Sequence, residues 1–338
     1  MTRAMITIVA LALLAAACGG SDDGSTGIEG STLVIYSGRS EDLIGPLVDQ
    51  FAEETGVDVQ IRYAGSAELA ATLLEEGSGS PADVFFAQDP ASLGAIALAG
   101  MLSTLPTGTL STVPEAFSDR DGHWVGTSGR ARVVVYDTTR VTPDEIPATE
   151  DGFVDQEWKG RLGVAPTNGS FLAFVAAKIL LDGEAATLAW LQGIAANDAP
   201  TYPKNSAIVA AVDEGQVDTG LVNHYYLFRR TAELGDLLAE NHFFGVATAG
   251  SMVMPAGAGI LESAANPGAA LAFIEFLLST AAQEYFASET FEYPLVPGVE
   301  PFPGLPALAS IPTPDLNLSE LATVLDLATD LVAEAGLL

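Results

Sequence analysis

Residues 220–230 read GLVNHYYLFRR. The first four close VDTGLVN, a short stretch from Val217 that reads as a buried strand. Tyr225 and Tyr226 follow at once, in a chain that holds only 8 tyrosines. Paired aromatics ordinarily pack a core, so the pair is a site only where a ligand demands two phenol oxygens beyond a strand end. Neighbouring side chains on a regular helix diverge by about 100°. The expected geometry is therefore a turn that aims both oxygens into one cleft.

Short apolar strands and amphipathic helices alternate on both sides of this stretch. Strands are expected at TLVIYSG from Thr32, VDVQIRYAG, ADVFFAQD, ARVVVYDT, RLGVAP and VDTGLVN. Ile44, Leu47, Val48 and Phe51 fall at i, i+3, i+4 and i+7 and mark one helical face, with Pro46 expected in that helix's first turn. AELAATLLEEG, SFLAFVAAKILL and AATLAWLQGIAA read as further helices, NPGAALAFIEFLLSTAAQEYFA as a long helical region, and a last helix is expected from about Leu318. Glycine-rich FFGVATAGSMVMPAGAGIL reads as a segment passing between domains. The pattern is that of an α/β protein with a mixed, mostly parallel sheet, whose ligands bind beyond the carboxyl ends of strands.

The chain's 338 residues, 49% apolar and 17% charged, suffice for two cores. The start, MTRAMITIVALALLAAACGG, carries Arg3, an apolar run from Met5 to Ala17, and small residues before Cys18, which is the pattern of an export signal. The run is shorter than the roughly 20 residues that span a bilayer. Cys18 is the only cysteine, so no intramolecular disulfide can form. AAAC before Gly19 resembles a bacterial lipobox, with Ala15 where leucine is more usual; the alternative is an ordinary signal with a chance cysteine. Polar, glycine-rich residues 18–31 read as a flexible tether. A net charge of −31 repels phosphate backbones and excludes nucleic acid as a partner. No G-x-S-x-G, H-E-x-x-H or Walker A loop occurs, and no Rossmann glycine fingerprint follows the first strand. With His123, His224 and His242 scattered, neither a zinc site nor a Cys-His nucleophile is supported.

SPADVFFAQD, SGRARVVVYDT, GRLGVAPTNGSF, YPKNSAIVAAVDEG, GLVNHYYLFR and EYPLVPGV occur in this order. Together they resemble the ferric-iron-binding proteins of bacterial ABC importers, from about Thr32 to the C-terminus. The resemblance implies a two-lobed, type II periplasmic-binding-protein fold with the ligand between lobes, residues 32–129 plus about 250–300 forming lobe 1 and 130–249 plus about 301–338 forming lobe 2, after a signal peptide at 1–17. It implies a monomeric, non-enzymatic receptor, lipid-anchored outside the cytoplasmic membrane, that hands Fe(III) to an ABC permease.

The family's two adjacent tyrosines match Tyr225 and Tyr226, and Fe(III) favours anionic oxygen. Two other family ligands depart. Ser40 stands in the loop where many members have histidine, followed by Glu41, and Gln88 stands where they have glutamate, followed by Asp89. Glu41 or Asp89 could supply a carboxylate; the favoured expectation is that anion and water complete the shell with help from Glu41. The family's synergistic anion, such as phosphate or carbonate, maps to Asn168, Gly169, Ser170, Asn205 and Asn223. TNGS opens a helix, whose free N–H groups suit an anion, while Asn168 and Asn205 also read as plain helix caps. Arg130 would add charge to that seat or reach the phenolates, or form an interdomain salt bridge; His224 is expected to point away. The same fold with a phosphonate, polyamine or thiamine-like ligand is the alternative reading, and a secreted hydrolase the distant one.

Overall fold

The computed structural model describes residues 27–338. The signal peptide, Cys18 and the first part of the tether lie outside the described residues. In chain order the elements are β1 (Thr32–Ser37), α1 (Glu41–Thr55), β2 (Asp58–Tyr63), α2 (Ser66–Glu76), β3 (Val84–Ala87), α3 (Pro90–Leu98) and the short α4 (Thr107–Leu110). Next come β4 (Val125–Asp137), β5 (Leu162–Gly163), α5 (Gly169–Asp182), α6 (Glu184–Ala196), α7 (Asn205–Asp213), β6 (Thr219–Asn223), α8 (Tyr225–Leu234) and β7 (Ala239–His242). The chain ends with β8 (Val253–Ile260), α9 (Pro267–Leu277), α10 (Thr280–Ser288), β9 (Tyr293–Pro294) and α11 (Leu325–Glu334).

The strands lie in the order β2-β1-β3-β8-β4-β6-β5, with β7 and β9 also paired to β4. The parallel expectation holds at the two ends of this order, where β1 pairs with β2 and β3, and β5 with β6. Between them, every pairing of β4 and β8 is antiparallel. These strands carry the chain between the two halves, so no helical crossover sets their direction. Strand β4 passes through both halves: Val125–Ala131 pair with β8, and Arg132–Tyr136 pair with β6. All of β4 is buried, and its Val133–Val135 run packs readily on both faces of a covered sheet.

The face Ile44, Leu47, Val48 and Phe51 is the buried face of α1, with Phe51 edge-on to Phe273 of α9 at 5.2 Å. The second half closes around Phe174 of α5 and Trp190 of α6, 5.5 Å apart. Three local expectations are corrected. Pro46 lies inside α1 rather than in its first turn, where it leaves the Asp42 carbonyl without its i+4 donor. The long helical region is two helices, because the Ser279 hydroxyl caps α10 by accepting from Ala282 N and restarts the chain in a new direction. The last helix begins at Leu325, after a 3-10 stretch over Leu318–Val324. That stretch packs on α3 and also on α5, so the C-terminal segment touches both halves. Gly94 of α3 allows the approach, since a Cβ there would strike the Ser319 carbonyl.

Candidate metal centre

β1, β2, β3 and β6 direct their carboxyl ends at one cleft of about 310 Å³, lined by Gly38, Gly65, Gln88 and Asn223 from those ends. This is where an open α/β sheet receives its ligand. Ser66 and Asp89 complete one wall, Asn168, Gly169, Ser170 and Tyr226 the other, and Arg130 of β4 lies with Met254 between them. Gly38 has a specific reason to be glycine. A Cβ there would collide with Ser66 Oγ, the atom that accepts from Gln88 N at 2.8 Å.

Tyr225 and Tyr226 sit in the first turn of α8, not in a turn preceding it. Their rings nevertheless stack, with centroids 4.2 Å apart and planes 28° from parallel. A helix start has no preceding turn to restrict χ1, which leaves the rotamers needed for stacking open. Tyr226 lines the cleft, whereas Tyr225 is 2% exposed behind it. Burial, together with Tyr226, pushes the Tyr225 phenol well above its usual range; Arg130 opposes that rise and Glu292 adds to it. The pair offers two adjacent hard oxygens whose protons a highly charged cation would displace.

His224, between Asn223 and the tyrosines, points away as expected. Its Nδ1 accepts from Ala131 N at 3.1 Å and its Nε2 donates to the Phe291 carbonyl at 2.8 Å. Burial lowers its pKa to about 4, and both ring nitrogens are engaged.

Asn168, Ser170, Asn205 and Asn223 are drawn into one network. Asn168 Oδ1 caps α5, accepting from Ser170 N at 3.1 Å and Ser170 Oγ at 2.7 Å. Asn205 is not the cap of α7 but its first residue, one past Lys204. From there its Nδ2 reaches Asn168 Oδ1 at 3.0 Å and Ser170 Oγ at 3.1 Å, while its Oδ1 accepts from Asn223 N at 3.2 Å. A side chain in the first turn can brace a neighbouring helix start in this way, which a cap occupied by its own backbone would not do.

On the opposite wall the polar groups are engaged by protein. Gln88 Oε1 accepts from Arg39 Nη1 at 3.2 Å, and Arg130 donates to the Gln88 carbonyl. Asp89 caps α3, its two oxygens accepting from Ser92 N at 2.8 Å and Ser92 Oγ at 3.0 Å. Ser40 and Glu41 are exposed at the start of α1 and do not line the cleft.

Three charged residues that sequence reasoning passed over shape the site. Arg39 forms a bidentate pair with Glu292 at 2.9 and 2.6 Å, both side chains 0% exposed. Glu292 also accepts from Ser128 Oγ at 2.9 Å. Burial alone would raise the Glu292 carboxyl, but Arg39 and Arg130 bring it below its usual range. Arg132 is buried with its guanidinium 5.1 Å from the Phe174 ring centre and Nη1 3.3 Å from Ser170 Oγ. Burial pulls its pKa down to about 9 against the opposing pull of Tyr226 and Glu150. The signal for Arg132 was present in "RAR": two cations at period two inside an apolar strand face the same side.

A two-lobed sheet with its ligand cleft at the carboxyl ends of strands from both lobes defines a ligand-binding protein of the periplasmic-binding type. The model of the family described as bacterial extracellular solute-binding protein matches residues 46–313, and the chain belongs to that family. It is 34% identical to the major ferric iron-binding protein of Neisseria meningitidis serogroup B over 98% of this chain and 100% of that one. Among solved structures, iron-bound HitA from Pseudomonas aeruginosa superposes with a TM-score of 0.84 at 33% identity, covering 90% of this chain and 99% of that one. The Trichodesmium protein IdiA (FutA) in complex with iron and citrate does so at 0.81 and 28%, with the same coverages.

Proposed function

We propose that this protein captures Fe(III) through the phenolate oxygens of Tyr225 and Tyr226 and delivers it to an ABC permease. The observation that carries the reading is the stacked tyrosine pair at the cleft, with the buried cations Arg130 and Arg132 within electrostatic reach. Relatives that share nearly the whole chain are named for ferric iron, and two similar structures hold it. A synergistic oxyanion, phosphate or carbonate, seats at the start of α5 beside Gly169, next to the network in which Asn168 caps Ser170 and Asn205 braces both.

The cleft closes between a lobe built on residues 32–129 and about 250–300 and a second built on 130–249. The C-terminal segment from about residue 301 completes the second while resting on α3 of the first. The protein performs no covalent reaction, works as a monomer, and is held at the outer face of the cytoplasmic membrane by a lipid on Cys18. Adding Fe(III) with phosphate, carbonate or citrate to the purified protein should produce a visible phenolate-to-iron charge-transfer band. A colourless protein with every anion would defeat the ferric reading.

A further inference from the structure

Resting on that ferric reading, we propose that a second cavity beside Tyr226 is a docking subsite for the free carboxylates of an anionic ferric chelate. Iron then reaches the tyrosines as a polycarboxylate complex, not as the bare ion. The cavity, about 400 Å³, is lined by Lys204, Ser206, Tyr226, Arg229, Arg230 and Glu233. Tyr226 also lines the main cleft, so one residue borders both spaces. A ligand held at the tyrosines can extend a second arm here.

The charges on this wall run against those of the molecule. The chain carries −31 with only 13 basic residues, yet Lys204, Arg229 and Arg230 gather here, while Arg130 lines the main cleft and Arg39 and Arg132 are buried beside it. A bare trivalent cation would be drawn to the acidic surface and repelled from this rim; an anionic complex would be focused onto it.

The rim's cations are not equally free. Arg230 is engaged by Asp213 at 2.9 Å and Glu214 at 3.2 Å, and Glu233 adds one negative charge to the wall. Lys204 is exposed and makes no ion pair among the described residues. Among the described residues Arg229 pairs only with Asp42, at 3.6 Å, and both partners are substantially exposed. A pair so solvated is weak, so Arg229 can exchange Asp42 for an incoming carboxylate. The N–H of Ser206, in the first turn of α7 and in the lining of this cavity, has no protein acceptor among the described residues, and Lys204 supplies no side-chain cap. It adds a donor beside the two cations.

The test compares two iron donors, ferric citrate and the neutral ferric acetohydroxamate complex with phosphate added. Titration of the visible band is run on wild type and on the double variant Lys204→Gln plus Arg229→Gln. The variant should lose about 10-fold in apparent affinity for iron from ferric citrate while staying within about two-fold of wild type with the neutral donor. The citrate preference of wild type should also shrink as salt rises. An unchanged affinity for ferric citrate, or an equal loss with both donors, would overturn the docking subsite. Absence of the band in wild type with both donors would instead bring down the ferric reading, and this inference with it. Both substituted side chains are at the surface, and matching thermal midpoints would establish that the variant is folded.

Discussion

The two walls of the cleft differ in what their polar atoms are doing. On the wall from the second half, Tyr226 faces the cavity with Tyr225 stacked behind it, and the Asn168–Ser170–Asn205 network braces a helix start that opens on the same space. On the wall from the first half, the Gln88 side-chain oxygen is taken by Arg39, the Asp89 carboxylate by Ser92, and Glu292 by Arg39 and Ser128. One wall presents the phenol pair to the cavity while its amide and serine atoms are bonded to one another, and the other engages its polar atoms in a helix cap and a buried salt bridge. The lesson is that hydrogen-bond partners separate the polar atoms a wall spends on its own structure from those it turns to the cavity.

The largest effect should come from removing the presenting wall. Tyr225→Phe with Tyr226→Phe should abolish the visible band and lower iron affinity by about 100-fold or more, beyond the 10–100-fold that loss of an outer partner costs. A titration that still shows tight binding would assign the metal elsewhere.

The salt-bridged wall should respond in stability. Glu292→Ala leaves Arg39 buried without its carboxylate, and breaking such a pair costs about 3–5 kcal/mol, readable as a lower denaturant midpoint with unchanged slope. An unaltered midpoint would show that the pair is not holding this wall.

A comparable loss should appear in acid. His224 has a pKa of about 4 in the fold, below its unfolded value, so the unfolded chain binds more protons between those values. Its contribution is fully present above about pH 6.5 and falls away towards pH 4, by about 3 kcal/mol. Thermal midpoints measured across that window should drop, and His224→Gln should flatten the dependence. A drop of equal size in the variant would place the acid sensitivity in other groups.

The smallest effect is expected at Glu41, which is exposed and outside the cleft. Glu41→Gln should leave iron affinity within about two-fold, a surface substitution remote from any partner. A larger loss would restore it to the metal shell and erase the contrast between the walls.

Much of this was legible in the sequence, for identifiable reasons. The apolar runs of β1, β3, β4 and β6 and the 3.6-residue face of α1 depend on local periodicity, and each appears where the pattern puts it. The tyrosine pair and TNGS were visible because strand ends and helix starts are local features too. The pairing of Arg39 with Glu292 was not, since 253 positions separate them and no local pattern specifies a partner so distant. Asn205 was half-read: its helix was evident, but its place one residue past the cap decided that it braces α5 instead of closing α7. Pro46 was misplaced because helix starts are set by the caps on either side, and the start at Glu41 left the proline well inside.

The central claim is that one wall supplies the protein's metal ligands. The most direct test is a crystal structure of the iron-loaded protein with an anomalous difference map at the iron edge. The account predicts a single iron peak bonded to the phenol oxygens of both Tyr225 and Tyr226, an oxyanion at the start of α5, and Gln88 still held by Arg39. An iron peak bonded to Asp89, Glu41 or Gln88, with the tyrosines unligated, would contradict it.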